Sequence, residues 1–338
     1  MARRLIEPPP PRGPLSERLF EALEGPPDEG LEAPGPIESV DPIADEDLQL
    51  ALYLAYEIHY TGIRGVDERW EWAPSLLAFR AELERPFEAA VAELVEPAPA
   101  DELAPVGAAL QAIAAEDPGP PLSRYMETQA TLEQMLEHVV HRSAYQLKEA
   151  DPHSWAIPRL PPRAKAALLE VQNDEYGNGS AERMHSVLFA GTMEALGLDG
   201  TYGAYLERLP AVTLATVNLM SGFGLHRRRR GATVGHLAAF EMTSSIPNRR
   251  YGNALRRLGF GREATHFYDE HVEADAVHEN IAAWDLAGGL AADEPEVVAD
   301  ILFGARALLQ IEARWASHLM ASWERGESSL REPAAVPA

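Results

Sequence analysis

The stretch HVEADAVH, from His271 to His278, lies within a longer segment, 262–287, whose apolar residues have the spacing of a helix. Three of its residues are candidate metal ligands: His271, Asp275 and His278, at positions i, i+4 and i+7. On a helix these three side chains lie on one face. Two imidazoles around a carboxylate would be costly to bury unless a cation neutralised them. The stretch therefore predicts a metal centre, with a charged, solvent-facing helix surface as the alternative.

The composition restricts the class of protein. With 338 residues the chain can form one large domain or two of ordinary size. It contains no cysteine, which excludes disulfides, thiolate catalysis and thiolate-bound zinc or iron–sulfur sites, so His, Asp and Glu remain as the strong ligands. A formal net charge of -24 opposes binding to nucleic acids and to anionic membranes. We therefore expect small molecules or proteins as partners.

Neither the N-terminus nor the apolar runs match an export signal or a membrane span. The first residues, MARRLIEPPPPRGPLSERLF, place prolines where a signal peptide needs an apolar core. The longest uncharged run, 210–225, contains Thr, Asn, Ser and Gly and is short for a membrane span. We expect a soluble, cytoplasmic protein.

Helical periodicity extends through most of the chain, and no stretch alternates as a strand does. The sequence therefore predicts an all-α fold. Residues 1–43 are expected to form a partly disordered Pro/Gly-rich arm with a short helix near 15–23. An N-terminal helical region (44–121), a main domain (122–325) and a flexible tail (326–338) are expected to follow. The other predicted helices span 47–62, 74–95, 102–115, 122–150, 162–176, 181–196, 209–223, 232–245, 262–287 and 294–325.

The segment EYGNGSAERMH contains a second pair of candidate ligands, Glu175 and His185. On a straight helix ten residues would leave these side chains about 80° apart, so a break is needed for both to face one centre. Gly177 and Gly179 provide the flexibility for such a break, and Ser180 is a candidate cap for the next helix. The alternative is an ordinary turn in which the acid and the histidine share no role.

A different pairing of acids and histidines competes with this one. Glu182 and His185 form Glu-x-x-His, and so do Glu263 and His266. Two such motifs are typical of ferritin-like di-iron bundles. That pairing would leave the acid and the histidines of HVEADAVH without a ligand role beside a metal site. We therefore favour the ligands of HVEADAVH.

Two further acids occupy unusual positions. Glu149 is predicted to lie in the last turn of a helix that ends before Pro152, where the helix dipole favours a cation. Glu241, in HLAAFEMTSS, lies on an otherwise apolar helix face. Each placement suggests a function. The alternative for each acid, taken alone, is an ordinary solvent-exposed position.

Together these residues resemble the ligand pattern of the haem-oxygenase-like di-iron oxidases and oxygenases over residues 122–325. The wide Glu-to-His spacing and the first histidine of the last core helix are most similar to the N-oxygenating branch. The resemblance implies a haem-oxygenase-like helical bundle with two irons, manganese being an alternative metal, and O₂ as co-substrate. The matching positions are Glu149, Glu175, His185, Glu241, His271, Asp275 and His278.

The resemblance also implies how these ligands are divided. Glu175 would bridge the two irons, and Glu175 and Glu241 would be the catalytic carboxylates. The set at one iron would be His185, Glu241 and His271, and the set at the other would be Glu149, Asp275 and His278. Four carboxylates, two ferrous ions and three neutral imidazoles sum to a neutral cluster, which can be buried.

The activity implied is O₂-dependent N-oxygenation of an amine or guanidine group of a small metabolite, through a peroxide bridging the two ferric ions. Electrons would come from an external donor, for instance a reductase, since the chain lacks a Gly-rich dinucleotide motif after a strand. One alternative is C–H oxidation of an acyl chain, by decarboxylation or desaturation, on the same fold. The other is a non-catalytic metal-binding or interaction protein, suggested by the acidic composition and the Pro-rich arm.

Several segments have no part in this ligand pattern. Residues 1–121 resemble a dimerisation element by position, so a homodimer is expected. A nitrosourea-forming member of the branch carries an additional cupin domain, and because this chain ends at Ala338 without one, nitrosourea formation is not expected. In the segment 56–59, a buried histidine bonded to a backbone carbonyl is favoured over a site role for Tyr56, Glu57 and His59. The run 226–230, HRRRR, is favoured as an ion-paired turn over a site for a substrate carboxylate or a reductase.

Overall fold

The computed structural model describes residues 5–95, 105–116 and 118–332, including all side chains except those of 273–277. These parts of the chain are helical, and the only β-type pairing among them is an isolated bridge between Ile6 and Ile63. The predicted all-α fold is confirmed. The helices are α1 (Pro14–Leu23), α2 (Glu46–Glu57), α3 (Pro74–Leu94), α4 (Val106–Ala115), α5 (Leu122–Thr128), α6 (Leu132–Gln146), α7 (Asp151–Ser154), α8 (Pro162–Glu175), α9 (His185–Ala195), α10 (Ala211–Leu225), α11 (Arg230–Arg257), α12 (Arg262–Asn280), α13 (Gly288–Asp293) and α14 (Val298–Glu324).

A π-helical segment, Ile281–Ala287, continues α12 directly into α13. Such wide turns are frequent near functional sites. Among the helices described, none is both long and apolar enough to cross a membrane.

The N-terminal segment packs onto the helical body. Ile6 and Leu19 are fully buried in the same apolar cluster as residues of α2, α3 and α10. Helix α1 begins at the expected place, and the carboxylate of Asp47 accepts hydrogen bonds from the backbone N–H groups of Leu15 and Ser16 at 2.7 and 2.8 Å. A side chain of α2 thus satisfies backbone donors that α1 leaves unpaired. The division of the chain into an arm, a helical region and a main domain stays a prediction.

The segment predicted as one helix over 122–150 is two helices. A capping box begins α6: the Thr131 hydroxyl accepts from the Gln134 N–H at 3.3 Å, and the Gln134 side chain accepts from the Thr131 N–H at 3.0 Å. Thr-x-x-Gln is a sequence signature of a helix start. The apolar spacing continues across the break, which is why periodicity alone did not separate the two helices.

Helix α11 continues past its predicted end at residue 245. Pro247 lies inside it and cannot donate a helical hydrogen bond to the carbonyl of Thr243. Beyond the proline, Tyr251 and Leu255 are buried, and this packing offsets the lost hydrogen bond. The long helix therefore carries Glu241 near its middle, deep in the core.

Helices α11 and α14 cross in close contact at two glycines. A Cβ atom on Gly235 would overlap the carbonyl oxygen of Ile301, and a Cβ atom on Gly304 would overlap the backbone of Ala232. Only glycine permits the two backbones to approach this closely. The crossing therefore sets the position of α11, and of Glu241 on it, relative to α14.

We expect the substitution Gly304→Ala to lower the free energy of unfolding by about 1–3 kcal/mol, because the added methyl group would push α11 and α14 apart. Gly191→Ala is the matched control, since this exposed glycine of α9 has nothing within 4 Å of an added Cβ atom. There, alanine should stabilise the helix by up to about 1 kcal/mol. Urea unfolding followed by circular dichroism measures both changes, and equal shifts would contradict the close crossing.

Candidate metal centre

A turn after α6 directs Glu149 into the core. Helix α6 ends at Gln146, and Ala150 adopts a left-handed conformation with φ of 73°. The side-chain amide of Gln172 donates to the carbonyl of Ala150 at 2.8 Å and so ties this turn to α8. Glu149 is thus buried in the turn beyond the helix end and does not occupy the last helical turn as predicted. The left-handed backbone at Ala150 is a feature that the Asp-Pro pair alone did not reveal.

The chain breaks between Glu175 and His185, as expected. Helix α8 ends at Glu175 and α9 begins at His185, and Gly177 and Gly179 between them have φ of 71° and 83°. At Gly177 a Cβ atom would lie 2.6 Å from the backbone nitrogen of Met184, so this position requires glycine. As a result, His185 Nδ1 lies 2.8 Å from Glu175 Oε2.

The prediction that Ser180 caps the following helix is wrong. The hydroxyl of Ser180 donates to the carboxylate of Glu182 at 2.6 Å, and α9 begins five residues after Ser180, at His185, without a side-chain cap. The 3₁₀ turn at Ala181–Arg183 separates the serine from the helix start.

Helix α12 turns His271 towards the buried acids. The Nδ1–H of His271 donates to the carbonyl of Phe267 at 2.9 Å, which leaves Nε2 facing Glu149 Oε1 at 3.6 Å. The rings of His271 and His185 lie 4.4 Å apart, measured between their centroids. Because His271 is buried, the alternative of a solvent-facing histidine is contradicted at this position.

His278 is buried on the same helix and faces several carboxylates. Its Nδ1 lies 3.4 Å from Glu241 Oε2 and 3.9 Å from Glu175 Oε1, and its Nε2 lies 3.4 Å from Asp174 Oδ2. Sequence reasoning missed Asp174, although its place directly before Glu175 was a usable signal. The side chain of Asp275 lies outside the described residues, so its predicted role stays a prediction.

The described side chains form two groups that share Glu175, the residue expected to bridge the metals. Within each group the candidate ligand atoms all lie within 4.8 Å of one another. The first group is Glu149, Glu175, His185 and His271, and the second is Glu175, Glu241 and His278.

The positions of Glu149 and Glu241 are exchanged relative to the division that the resemblance implied. Glu149 lies beside His271, and Glu241 lies beside His278. The turn after α6 reaches one end of the ligand face of α12, whereas the middle of α11 packs against the other end. Spacing along the chain carries no information about which end each acid would meet.

Donor chemistry and burial both fit divalent cations. Burial raises the pKa of Glu149 and of Glu241, because each carboxylate has lost its water. Glu149 Oε2 is buried without a hydrogen-bond partner, and coordination to a bound cation would satisfy this oxygen. Oxygen and nitrogen donors without sulfur are the ligands that iron(II) and manganese(II) accept.

The charge state of His278 depends on the carboxylates around it. Burial by itself would lower its pKa, but its hydrogen bond to Glu241 and the charges of Glu241, Glu175 and Asp174 raise the pKa to about 9. In the metal-free protein a protonated His278 therefore offsets part of the negative charge of these carboxylates. A metal ligand must be a neutral imidazole, so a bound ion would displace this proton.

A small cavity of about 10 Å³, the space of about one water molecule, lies between the two groups. Besides the candidate ligands, the polar residues in its lining are Tyr145, His153 and Gln172, none of which sequence reasoning selected. His153 Nε2 lies 3.0 Å from Nδ1 of His236, which is five residues before Glu241 on α11. The only signal in the sequence for His153 and His236 was that they lie near Glu149 and Glu241, respectively.

The ferritin-like alternative is contradicted. Glu182 and Glu263 are both exposed, and His266 is only partly buried. Of these two motifs, only His185 reaches the buried carboxylates.

The remaining segments lie away from the site, largely as expected. Glu88 pairs with Arg228 and Arg229, and Glu294 pairs with Arg230, so the basic run is an ion-paired turn.

The predicted partner of His59 is wrong. Its Nε2 lies 2.7 Å from Nη1 of Arg80, where a backbone carbonyl was expected. The neighbouring residue Glu57 is buried in an ion pair with Lys148 at 2.8 Å. The expectation that this segment stays apart from the site agrees with these contacts.

Comparison with known proteins identifies relatives of this fold. A nitrosourea synthase from Streptomyces achromogenes subsp. streptozoticus is 27% identical over 136 residues, which make up 40% of this chain and only 29% of that enzyme. Two crystal structures of a CADD-like protein of unknown function from Nostoc punctiforme PCC 73102 share 17% identity with this chain and superpose with a TM-score of 0.52. They cover 98% of that protein and 67% and 65% of this one, and at this identity they show the fold alone.

Residues 136–313, just over half of the chain, match the sequence profile of a family described as iron-containing redox enzymes. This region begins in α6 and ends in α14, and it contains every buried ligand described above. The chain therefore belongs to the haem-oxygenase-like family of iron-containing redox enzymes.

Proposed function

We propose that this protein is an O₂-dependent, non-haem di-iron oxygenase that adds oxygen to the nitrogen of an amine or guanidine group of a small metabolite. The observation that carries the proposal is the pair of buried ligand groups that share Glu175. A carboxylate shared by two groups is what a centre of two neighbouring metal ions requires. A single metal site would need only one of the groups.

The charge of the buried cluster supports a centre of two metal ions. The described cluster holds three buried carboxylates, and the predicted ligand Asp275 would add a fourth. Two divalent cations would neutralise four carboxylates with three neutral imidazoles, and a neutral cluster can be buried without the penalty of isolated charges.

When bound, two ferrous ions supply the binding and reduction of O₂. The chain itself excludes bulk water, because Glu149, Glu175 and Glu241 are all buried. Tyr145 lines the same small cavity, and burial, followed by the charges of these acids, raises the pKa of Tyr145, so its hydroxyl stays protonated.

The proposed reaction converts R–NH₂, O₂, two electrons and two protons into R–NHOH and water. The N–O bond forms with one oxygen atom of O₂, and the other atom leaves as water. The two electrons come from an external donor, for which a reductase is the proposed source. The similarity to a nitrosourea synthase supports nitrogen as the oxidised atom, since a nitrosourea contains an oxidised nitrogen. A homodimer involving residues 1–121 is also part of the proposal.

We expect wild-type protein, reconstituted anaerobically with Fe(II), to hold two ions per chain. The double variant Glu149→Ala/His271→Ala should retain one ion, because both substitutions fall in the same group. Glu149→Ala/Glu241→Ala should retain none, because it affects both groups. Iron quantified after gel filtration, with circular dichroism to verify folding, measures these occupancies.

Glu182→Ala/Glu263→Ala is the matched control and should retain both ions, because these acids are exposed. Less than one ion per wild-type chain would refute the metal centre. Equal iron loss in the two test variants would refute the grouping found here.

We expect Fe(II)-loaded protein, given O₂ and a chemical reductant, to convert one member of a panel of amines, guanidines and amino acids into a product that is heavier by one oxygen atom. Mass spectrometry with ¹⁸O₂ identifies the source of that atom. His185→Ala should abolish turnover, while Glu182→Ala should preserve it. A fatty acid that is shortened or desaturated in place of an amine would establish C–H oxidation, and no turnover with any substrate would support a non-catalytic protein.

A further inference from the structure

A second and larger cavity, of about 360 Å³, lies between α5, α6, α11 and α14. His271 and Phe240 line both this cavity and the small cavity among the carboxylates. The large cavity therefore ends at the candidate metal centre. At its other end it is lined by Pro121, which is exposed, and by the partly exposed Ser123 and Arg250.

The charge of this lining is opposite to that of the protein. In a chain of net charge -24, the described charged residues lining the cavity are Arg142, Arg250 and Glu312, which sum to one positive charge. Arg142 binds the carboxylate of Glu312 through two hydrogen bonds of 2.9 and 2.6 Å and lies 3.9 Å above the Trp315 ring. Glu312 is thus already paired, and the excess positive charge belongs to Arg250.

Arg250 is weakly balanced by its neighbours. Its Nη1 donates to the Ser123 hydroxyl at 3.1 Å, and its Nε lies 3.9 Å from Glu127 Oε2, at the outer limit of an ion pair. The side chain is 35% exposed, so its guanidinium is accessible to a ligand from the cavity. A guanidinium in this state suits a carboxylate, which it can bind through two parallel hydrogen bonds.

Gln146 offers a different kind of contact. It lies one turn beyond Arg142 on α6, next to the turn that carries Glu149, and so lines the cavity near its metal end. The residue is nine-tenths buried, and its Oε1 has no hydrogen-bond partner. A buried amide oxygen without a partner calls for an N–H donor from a ligand.

The two contacts lie towards different ends of the cavity. Arg250 follows Phe240, which lines the metal end, by ten residues on α11, or roughly 15 Å along a helix axis. A ligand that reaches both ends must therefore be elongated, with an anionic group at one end and an N–H group at the other.

From these contacts we propose that the large cavity binds an amino-acid-like substrate whose carboxylate pairs with Arg250 and whose distal amine or guanidine donates to Gln146 Oε1. The choice of nitrogen as the reacting end rests on the proposed function. The carboxylate contact rests on the cavity alone.

Binding measured without O₂ tests the inference separately from the oxygenase activity. Ligand-observed NMR on the full chain, loaded with Zn(II), compares pairs of probes that differ only in the carboxylate: L-arginine with agmatine, and L-lysine with cadaverine. In at least one pair the amino acid should bind roughly 10- to 100-fold more tightly, the value of a hydrogen bond to a charged group.

Arg250→Gln should remove this preference, and Arg250→Lys should restore part of it. The adjacent, exposed Arg249 supplies the control, Arg249→Gln, which should leave the preference intact. Gln146→Leu should weaken the amino acid and its amine equally, because both carry the same distal nitrogen.

The inference is overturned if no amino acid binds better than its amine, or if Arg250→Gln leaves the preference unchanged. Tighter binding of nonanoate than of every amino acid would show that the cavity takes a carboxylate on an acyl chain, and would refute the nitrogen end. Absence of oxygenase activity with the binding pattern intact would refute the proposed function alone.

Discussion

Three buried carboxylates within one helical core are the constraint on which the rest of the structure depends. Glu149, Glu175 and Glu241 come from three separate parts of the chain and have lost nearly all contact with water. Negative charges that share one buried site repel one another, and burial raises the pKa of Glu149 and Glu241. Without a metal ion the protonated His278 relieves part of this repulsion, whereas bound divalent cations would displace that proton and relieve the repulsion themselves. Membership in a family of iron-containing redox enzymes agrees with that physical requirement.

The scaffold holds these acids by contacts that tolerate little change. Glycines at the crossing of α11 and α14 set the position of Glu241, and the left-handed Ala150 directs Glu149 inward. Lys148, the neighbour of Glu149, binds Glu57 at 2.8 Å. The rings of three tyrosines surround the Lys148 ammonium, with centroids 4.3–5.8 Å away. One short turn thus separates a structural ion pair, which attaches α2 to the core, from the candidate metal centre.

The two cavities have complementary properties. The small one holds acids and imidazoles and has room for about one water molecule, whereas the large one carries a positive lining and opens at partly exposed residues. His271 and Phe240 form their common wall. A substrate could therefore lie in the large cavity with only its reactive end against the ligands, which keeps most of its surface away from the buried charges. Because the protein is acidic overall and the large cavity is positively charged at its partly exposed end, an anionic group is favoured at that end over other parts of the surface.

The sequence by itself determined the all-α fold, most helix positions, and a set of acids and histidines of which six prove to be buried around one centre. Those features depend on local periodicity and on residue chemistry, both of which can be recognised in a single chain. Only the tertiary structure decided that Glu149 lies with His271 and Glu241 with His278, that α11 continues through Pro247, and that Arg250 and Gln146 line a cavity ending at His271. The physical reason is that these contacts join residues about 20 to 125 positions apart, and that α11 continues because distant packing offsets a lost local hydrogen bond. Helix crossing angles, close glycine contacts and a single left-handed residue set those distances, and none of them is expressed in the spacing of side chains along the chain.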